Sequence, residues 1–90
     1  MLKSEYTINR REYHRKKKTI LKKKLVHTLK AYAITNIELN EELNTLTCNM
    51  TVKKDGATRK FPKPITVVYQ TVAIPDDDIN CELKLFISIG

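Results

Sequence analysis

Asn9 to Tyr32 reads NRREYHRKKKTILKKKLVHTLKAY, a stretch without Gly or Pro that holds ten of the chain's seventeen Lys and Arg residues. Apolar side chains recur at Tyr13, Ile20, Leu21, Leu25, Leu29 and Tyr32, the i, i+3, i+4, i+7 spacing of one helix face. That spacing predicts one long amphipathic helix with a cationic outer surface. Asn9 followed by Glu12 fits a capping box and supplies a start. Ser4 offers an earlier start, with Tyr6, Tyr13 and Ile20 then seven residues apart on one stripe. The helix is expected to stop near Thr35-Asn36, where β-branched residues precede an Asn that tolerates a left-handed cap.

Between Arg10 and Lys18 only Tyr13 is apolar. Residues 1–18 are therefore expected to be a basic arm that continues into the helix, ordered by a partner if not alone. Residues 19–90 are expected to be a single α+β domain. Like charges at i,i+3 and i,i+4 cost about 0.2–0.5 kcal/mol per pair at low salt. The run Lys16, Lys17, Lys18, Lys22, Lys23, Lys24 thus weakens the isolated helix, and an anion that neutralises it would strengthen it.

After the helix the period changes to two. Ile37 to Glu41 alternates weakly and is a short strand candidate. Thr45 to Val52 alternates cleanly, with Leu46, Cys48, Met50 and Val52 on one side and Thr and Asn on the other, the pattern of a strand buried on one face. Asp55-Gly56 follows, a dipeptide favoured in two-residue type I′ hairpins, which sets Met50 opposite Phe61. Pro62 and Pro64 cannot donate to a ladder, so an edge, bend or bulge is expected there. Ile65 to Ile74 reads as a long strand, and Pro75 to Asp78 as a polar turn in which Asp bonds its own backbone. The last strand, Ile79 to Ile89, alternates Ile79, Cys81, Leu83, Leu85, Ile87 and Ile89 with mostly polar partners and turns Phe86 outward. The expected fold is α+β, with one long basic N-terminal helix packed on a three- to four-stranded antiparallel sheet. The open sheet face, with Phe86, Val68 and Val72, is a candidate homodimer surface if those groups cluster.

Charge is divided unevenly. Residues 1–36 carry eleven basic against two acidic side chains, a net +9, and residues 37–90 a net −2, within a total of +7. Such asymmetry points to an anionic partner: nucleic acid, an acidic protein surface or, least favoured, an anionic membrane surface. No run approaches the roughly 18 apolar residues of a membrane span, and residues 1–5 lack the apolar segment of a signal peptide. An intracellular location, with a virion possible, is the expectation. The Lys-, Asn- and Ile-rich composition suits an A+T-rich gene such as those of phages and mobile elements.

No nucleophile–base pair, phosphate-cradling Gly loop or metal-ligand spacing is present, so neither catalysis, a cofactor nor a metal is expected. His14 and His27 lie too far apart along the helix to share a ligand. Cys48 and Cys81 fall in phase with apolar neighbours and read as buried thiols, joined by a disulfide only if their strands pair. Arg10, Arg11, Arg15, Lys16, Lys17, Lys18, Lys22, Lys23 and Lys24 are the candidate binding residues, arrayed along one or two helix flanks. Lys outnumbers Arg and few residues suited to base edges interleave, which favours phosphate contact over sequence reading. The expected function is non-enzymatic nucleic-acid binding. The alternative is a protein-interaction module, a virion assembly component or an inhibitor of a host or defence enzyme, docking the helix on an acidic surface.

Overall fold

The computed structural model describes residues 2–89, the side chain of Lys54 excepted. In chain order the elements are β1 (Leu2–Asn9), α1 (Arg10–Arg15), α2 (Lys17–Thr28), β2 (Tyr32–Asn40), β3 (Thr45–Lys54), β4 (Ala57–Lys60), β5 (Ile65–Ala73) and β6 (Asn80–Ile87). The strands form one six-stranded antiparallel sheet in the order β1-β6-β5-β3-β2, with β4 also paired to β3. The protein is mostly β, and the expectation of one long helix on three or four strands is corrected on both counts.

The first correction lies at the N-terminus. Leu2–Asn9, read as weak structure leading into a basic arm, pairs with β6 along its whole length, from Leu2 opposite Ile87 to Asn9 opposite Asn80. Ser4, Tyr6 and Ile8 face inward while Lys3, Glu5 and Thr7 are exposed, the alternation of an edge strand with one buried side. Asn9 then caps α1, its Oδ1 accepting the Glu12 N–H at 3.0 Å. The Arg10 N–H donates to the Ile79 carbonyl at 2.9 Å, so the helix segment leaves straight from the sheet.

The second correction is the break at Lys16, whose backbone (φ −129°, ψ 40°) is not helical. Successive side chains on a helix step by about 100°, so on one straight helix Tyr13 would point roughly 120° away from Leu25. Yet Tyr13, Leu21, Leu25 and Leu29 are all buried in the same core. Interrupting the helix re-aims Tyr13, and the interruption falls where no apolar side chain and four consecutive cations, Arg15 to Lys18, hold the rod together. Burial of Leu21, Leu25 and Leu29 contributes roughly 1.5–3 kcal/mol each. That outweighs the few tenths lost per like-charged pair, so α2 forms despite its lysines.

The third correction is the helix end. α2 stops at Thr28 with the Leu29 N–H closing on the Leu25 carbonyl at 3.0 Å, and Tyr32 already begins β2. Asn36 is left-handed (φ 52°), but as the extra residue of a β-bulge between Thr35 and Glu38. Tyr32, Ile34, Ile37 and Leu39 are the half-buried members of β2. Their spacing skips one residue at Asn36, and only a bulge there keeps both pairs on the core side.

Elsewhere the period-two reading is found as expected, except at Ile79, which lies in the turn before β6, its N–H taken by Asp77 Oδ1, and is exposed. Leu46, Cys48 and Met50 of β3 and Cys81, Leu83, Leu85 and Ile87 of β6 are buried. Asp55 (φ 52°) and Gly56 (φ 79°) both take positive φ, as a type I′ turn requires. The Phe61 N–H donates to the Met50 carbonyl at 3.0 Å. Pro62-Lys63-Pro64 bulges out before β5 resumes along β3 at Cys48 opposite Ile65. Asp77 closes the last turn, its Oδ1 accepting the N–H groups of Ile79 and Asn80 at 2.9 and 3.0 Å; these bonds hold its carboxyl below the usual range. Cys48 and Cys81 are both free and buried, and β5 lies between their strands, so no cross-strand disulfide joins them.

The bulge gives a direct test. Asn36→Val should lower the unfolding free energy by roughly 1–2 kcal/mol through left-handed strain, while Asn36→Gly should not. Chemical denaturation that finds the two variants equally stable would contradict a left-handed residue at this position.

Candidate nucleic-acid interface

Each of the nine basic residues singled out in the sequence sits on α1, on α2 or at the break between them. Arg11, Arg15, Lys16, Lys18, Lys22 and Lys23 are exposed, and Arg10, Lys17 and Lys24 are half-buried. The half-buried lysines are engaged with the protein's own rings. Lys17 Nζ lies 5.7 Å from the Tyr13 ring centre and 5.4 Å from that of Tyr69, and Lys24 Nζ lies 5.0 Å from that of Tyr6. Tyr6 also ties β1 to α2, its hydroxyl bonded to Thr28 Oγ1, which donates to the Lys24 carbonyl at 2.8 Å. Sequence spacing does not reveal that Lys17 and Lys24 have partners in Tyr69 and Tyr6, because those rings lie on the strands β5 and β1.

The six exposed cations make no ion pair; among the described residues the one such pair is Lys3 with Glu5, at 3.1 Å on β1. They do not form a single stripe. Stepping about 100° per residue, Lys22, Lys23 and Lys24 fan over three sides of α2. The break at Lys16 turns Arg11 and Arg15 independently of them. Arg10, Arg11 and His14 line a cleft of about 450 Å³ between α1 and the Asp78-Ile79 turn. Four consecutive cations around an unpaired helix start, with no acidic residue in the first turn of α2, concentrate positive potential there.

Beneath this surface lie two buried tyrosines, Tyr13 (6% exposed) and Tyr69 (3% exposed). Neither hydroxyl has a hydrogen-bond partner among the described residues. Burial first, and then the neighbouring Tyr69, pushes the Tyr13 hydroxyl well above the ordinary tyrosine range. Tyr13 stays neutral at any ordinary pH, and both rings present a face to Lys17.

On the open sheet face Val68 and Val72 are exposed. Val68 lies opposite Phe86 across β5 and β6, but Lys3 Nζ covers the Phe86 ring at 5.9 Å. Val72 stands apart, opposite Glu82. The sequence pattern gave no weight to a second basic group, Lys53, Arg59, Lys60 and Lys63, on the β3–β4 hairpin and the bulge after it. Five of the six basic residues after Asn36 fall between 53 and 63, a signal that was present in the composition. No group of three or more His, Cys, Asp or Glu side chains among the described residues is placed to hold a metal. None of the described helices is long and apolar enough to cross a membrane. Comparison with protein-family models, curated proteins and solved structures found no match to the chain.

An unpartnered buried hydroxyl costs about 1–3 kcal/mol. Tyr69→Phe and Tyr13→Phe, which keep the ring under Lys17, should therefore leave stability unchanged or raise it, as read from denaturant midpoints. A loss above about 1 kcal/mol in either would reveal a partner for that hydroxyl.

Proposed function

We propose that this protein is a non-enzymatic nucleic-acid-binding protein that grips the phosphate backbone with the exposed cations of α1 and α2. The observation that supports the reading most is the six exposed, unpaired cations on this helix pair, set against a body of net charge −2. The cleft beside Arg10, Arg11 and His14 adds a place where a phosphate enters between cations. Because the cations fan rather than align, they suit contact across a curved anionic surface and carry little geometric demand for a particular base order. Such a role belongs where nucleic acid is found, inside a cell or a virion. Docking on an acidic protein, as an assembly component or an inhibitor, is the competing reading. The open sheet face adds nothing that calls for a second copy of the chain.

If about five of the exposed cations meet phosphates, duplex affinity should fall with salt at a log–log slope near −4.5. Replacing Arg11, Arg15, Lys16, Lys18, Lys22 and Lys23 by Gln should flatten that slope and abolish binding at physiological salt, while circular dichroism shows the fold retained. A shallow slope in the unaltered protein, or a partner that stays bound after nuclease treatment, would favour the acidic-protein reading.

A further inference from the structure

The helices leave one end of the inner sheet face uncovered. β4 is exposed along its whole length, and α2 turns into β2 at Leu29–Ala31, before reaching the hairpin. In register, Tyr32 lies opposite Val52, and Val52 opposite Arg59. Met50 lies opposite Phe61 through the backbone bond already described. Alternate residues share a face, so Tyr32, Val52, Arg59 and Phe61 project on the same side. Tyr32 and Phe61, far apart in sequence, meet with ring centres 5.7 Å apart and planes inclined at 60°. Beside Phe61 opens a cavity of about 370 Å³ lined by Val52, Arg59, Lys60, Phe61 and Pro62. Its floor is apolar and aromatic, no acidic side chain among the described residues lines it, and Arg59, on the same side as Phe61, makes no ion pair among the described residues.

A ligand suited to this cavity has a flat apolar face and an attached negative charge. We infer that the cavity takes an unpaired nucleobase, stacked on Phe61 with a flanking phosphate held by Arg59. The volume lies at the small end of ligand pockets, about 300–1,000 Å³, which suits one base rather than a larger group. The lining offers no side-chain acceptor for reading a base edge, so stacking there tolerates any base. The inference rests on the nucleic-acid reading above and deepens it: α1 and α2 hold backbone, and the hairpin holds a base where the duplex ends or opens.

The test compares a blunt duplex with the same duplex carrying a five-nucleotide single-stranded tail, at one salt concentration, for the full chain. The tail should tighten binding about tenfold. Phe61→Ala should remove that advantage and Arg59→Gln should reduce it, both leaving blunt-duplex affinity nearly unchanged. Phe61 packs partly against the core, so a second readout avoids dependence on the alanine variant. The chain has no Trp, and Phe61→Trp supplies a single emitter that a stacked base from an oligothymidylate should quench. Equal binding of blunt and tailed duplexes, or an advantage that survives both substitutions, overturns the inference while leaving phosphate gripping by the helices intact. Quenching by oligothymidylate alongside indifference to the six Gln substitutions would do the reverse. Emission that responds to phosphatidylserine vesicles and not to the oligonucleotide overturns it in favour of a lipid surface, and binding to no nucleic acid ends both.

Discussion

The pairing of β1 with β6 is the constraint on which the rest of the structure depends. It joins Leu2–Asn9 to Asn80–Ile87 in an unbroken antiparallel ladder and makes β6 an interior strand between β1 and β5. β1 thereby lies at one edge of the sheet and β2 at the other. The chain that connects them, α1 and α2, must travel back over the sheet, and it does so on the side where Leu83, Leu85, Ile87, Val67 and Leu46 are buried. Cations placed on that connection have only the solvent side left. The crowding of positive charge on one surface follows from strand topology as much as from composition.

Burial and repulsion then compete along the connection, and their magnitudes decide where each wins. Leu21, Leu25 and Leu29 bind α2 to the sheet with more free energy than its lysines lose by proximity. Between Tyr13 and Ile20 no apolar side chain is available to win, and the helix breaks at Lys16. Two half-buried lysines are absorbed by tyrosine faces, at about 0.5–2 kcal/mol each. The remaining cations have no local partner, which is the physical root of the proposed affinity for phosphate. The same topology leaves the β3–β4 hairpin beyond the reach of either helix. It is there that Phe61 and Tyr32 meet.

What could be read from the sequence was what depends on neighbours a few residues away. The alternation of Leu46, Cys48 and Met50 and of Cys81 through Ile87, the Asp55-Gly56 turn and the Asn9 cap are all local, and they stand in the structure as expected. What could not be read depends on partners far along the chain. Leu2–Asn9 has only Tyr6 and Ile8 to announce a strand, because its stabilising partner is β6. Asn36 tolerates a left-handed backbone, but the same conformation serves a bulge as well as a helix cap. Helical spacing puts Tyr13, Ile20, Leu21, Leu25, Leu29 and Tyr32 on one face, but on a straight rod Tyr13 and Leu25 point about 120° apart and cannot both be buried in one core. Lys17 and Lys24 looked as free as their neighbours until the rings of Tyr69, Tyr13 and Tyr6 were brought beneath them.

Native-state hydrogen exchange of the β1 amides measures the central constraint most directly. The β1 N–H groups that bond to β6, together with those of β6 itself, should exchange only through global unfolding, at the full unfolding free energy and with a denaturant dependence equal to that of the whole protein. β1 amides that exchange freely while β3, β5 and β6 remain protected would show that the first strand is dispensable. The fold described here, and the placement of the cationic helices that follows from it, would then be wrong.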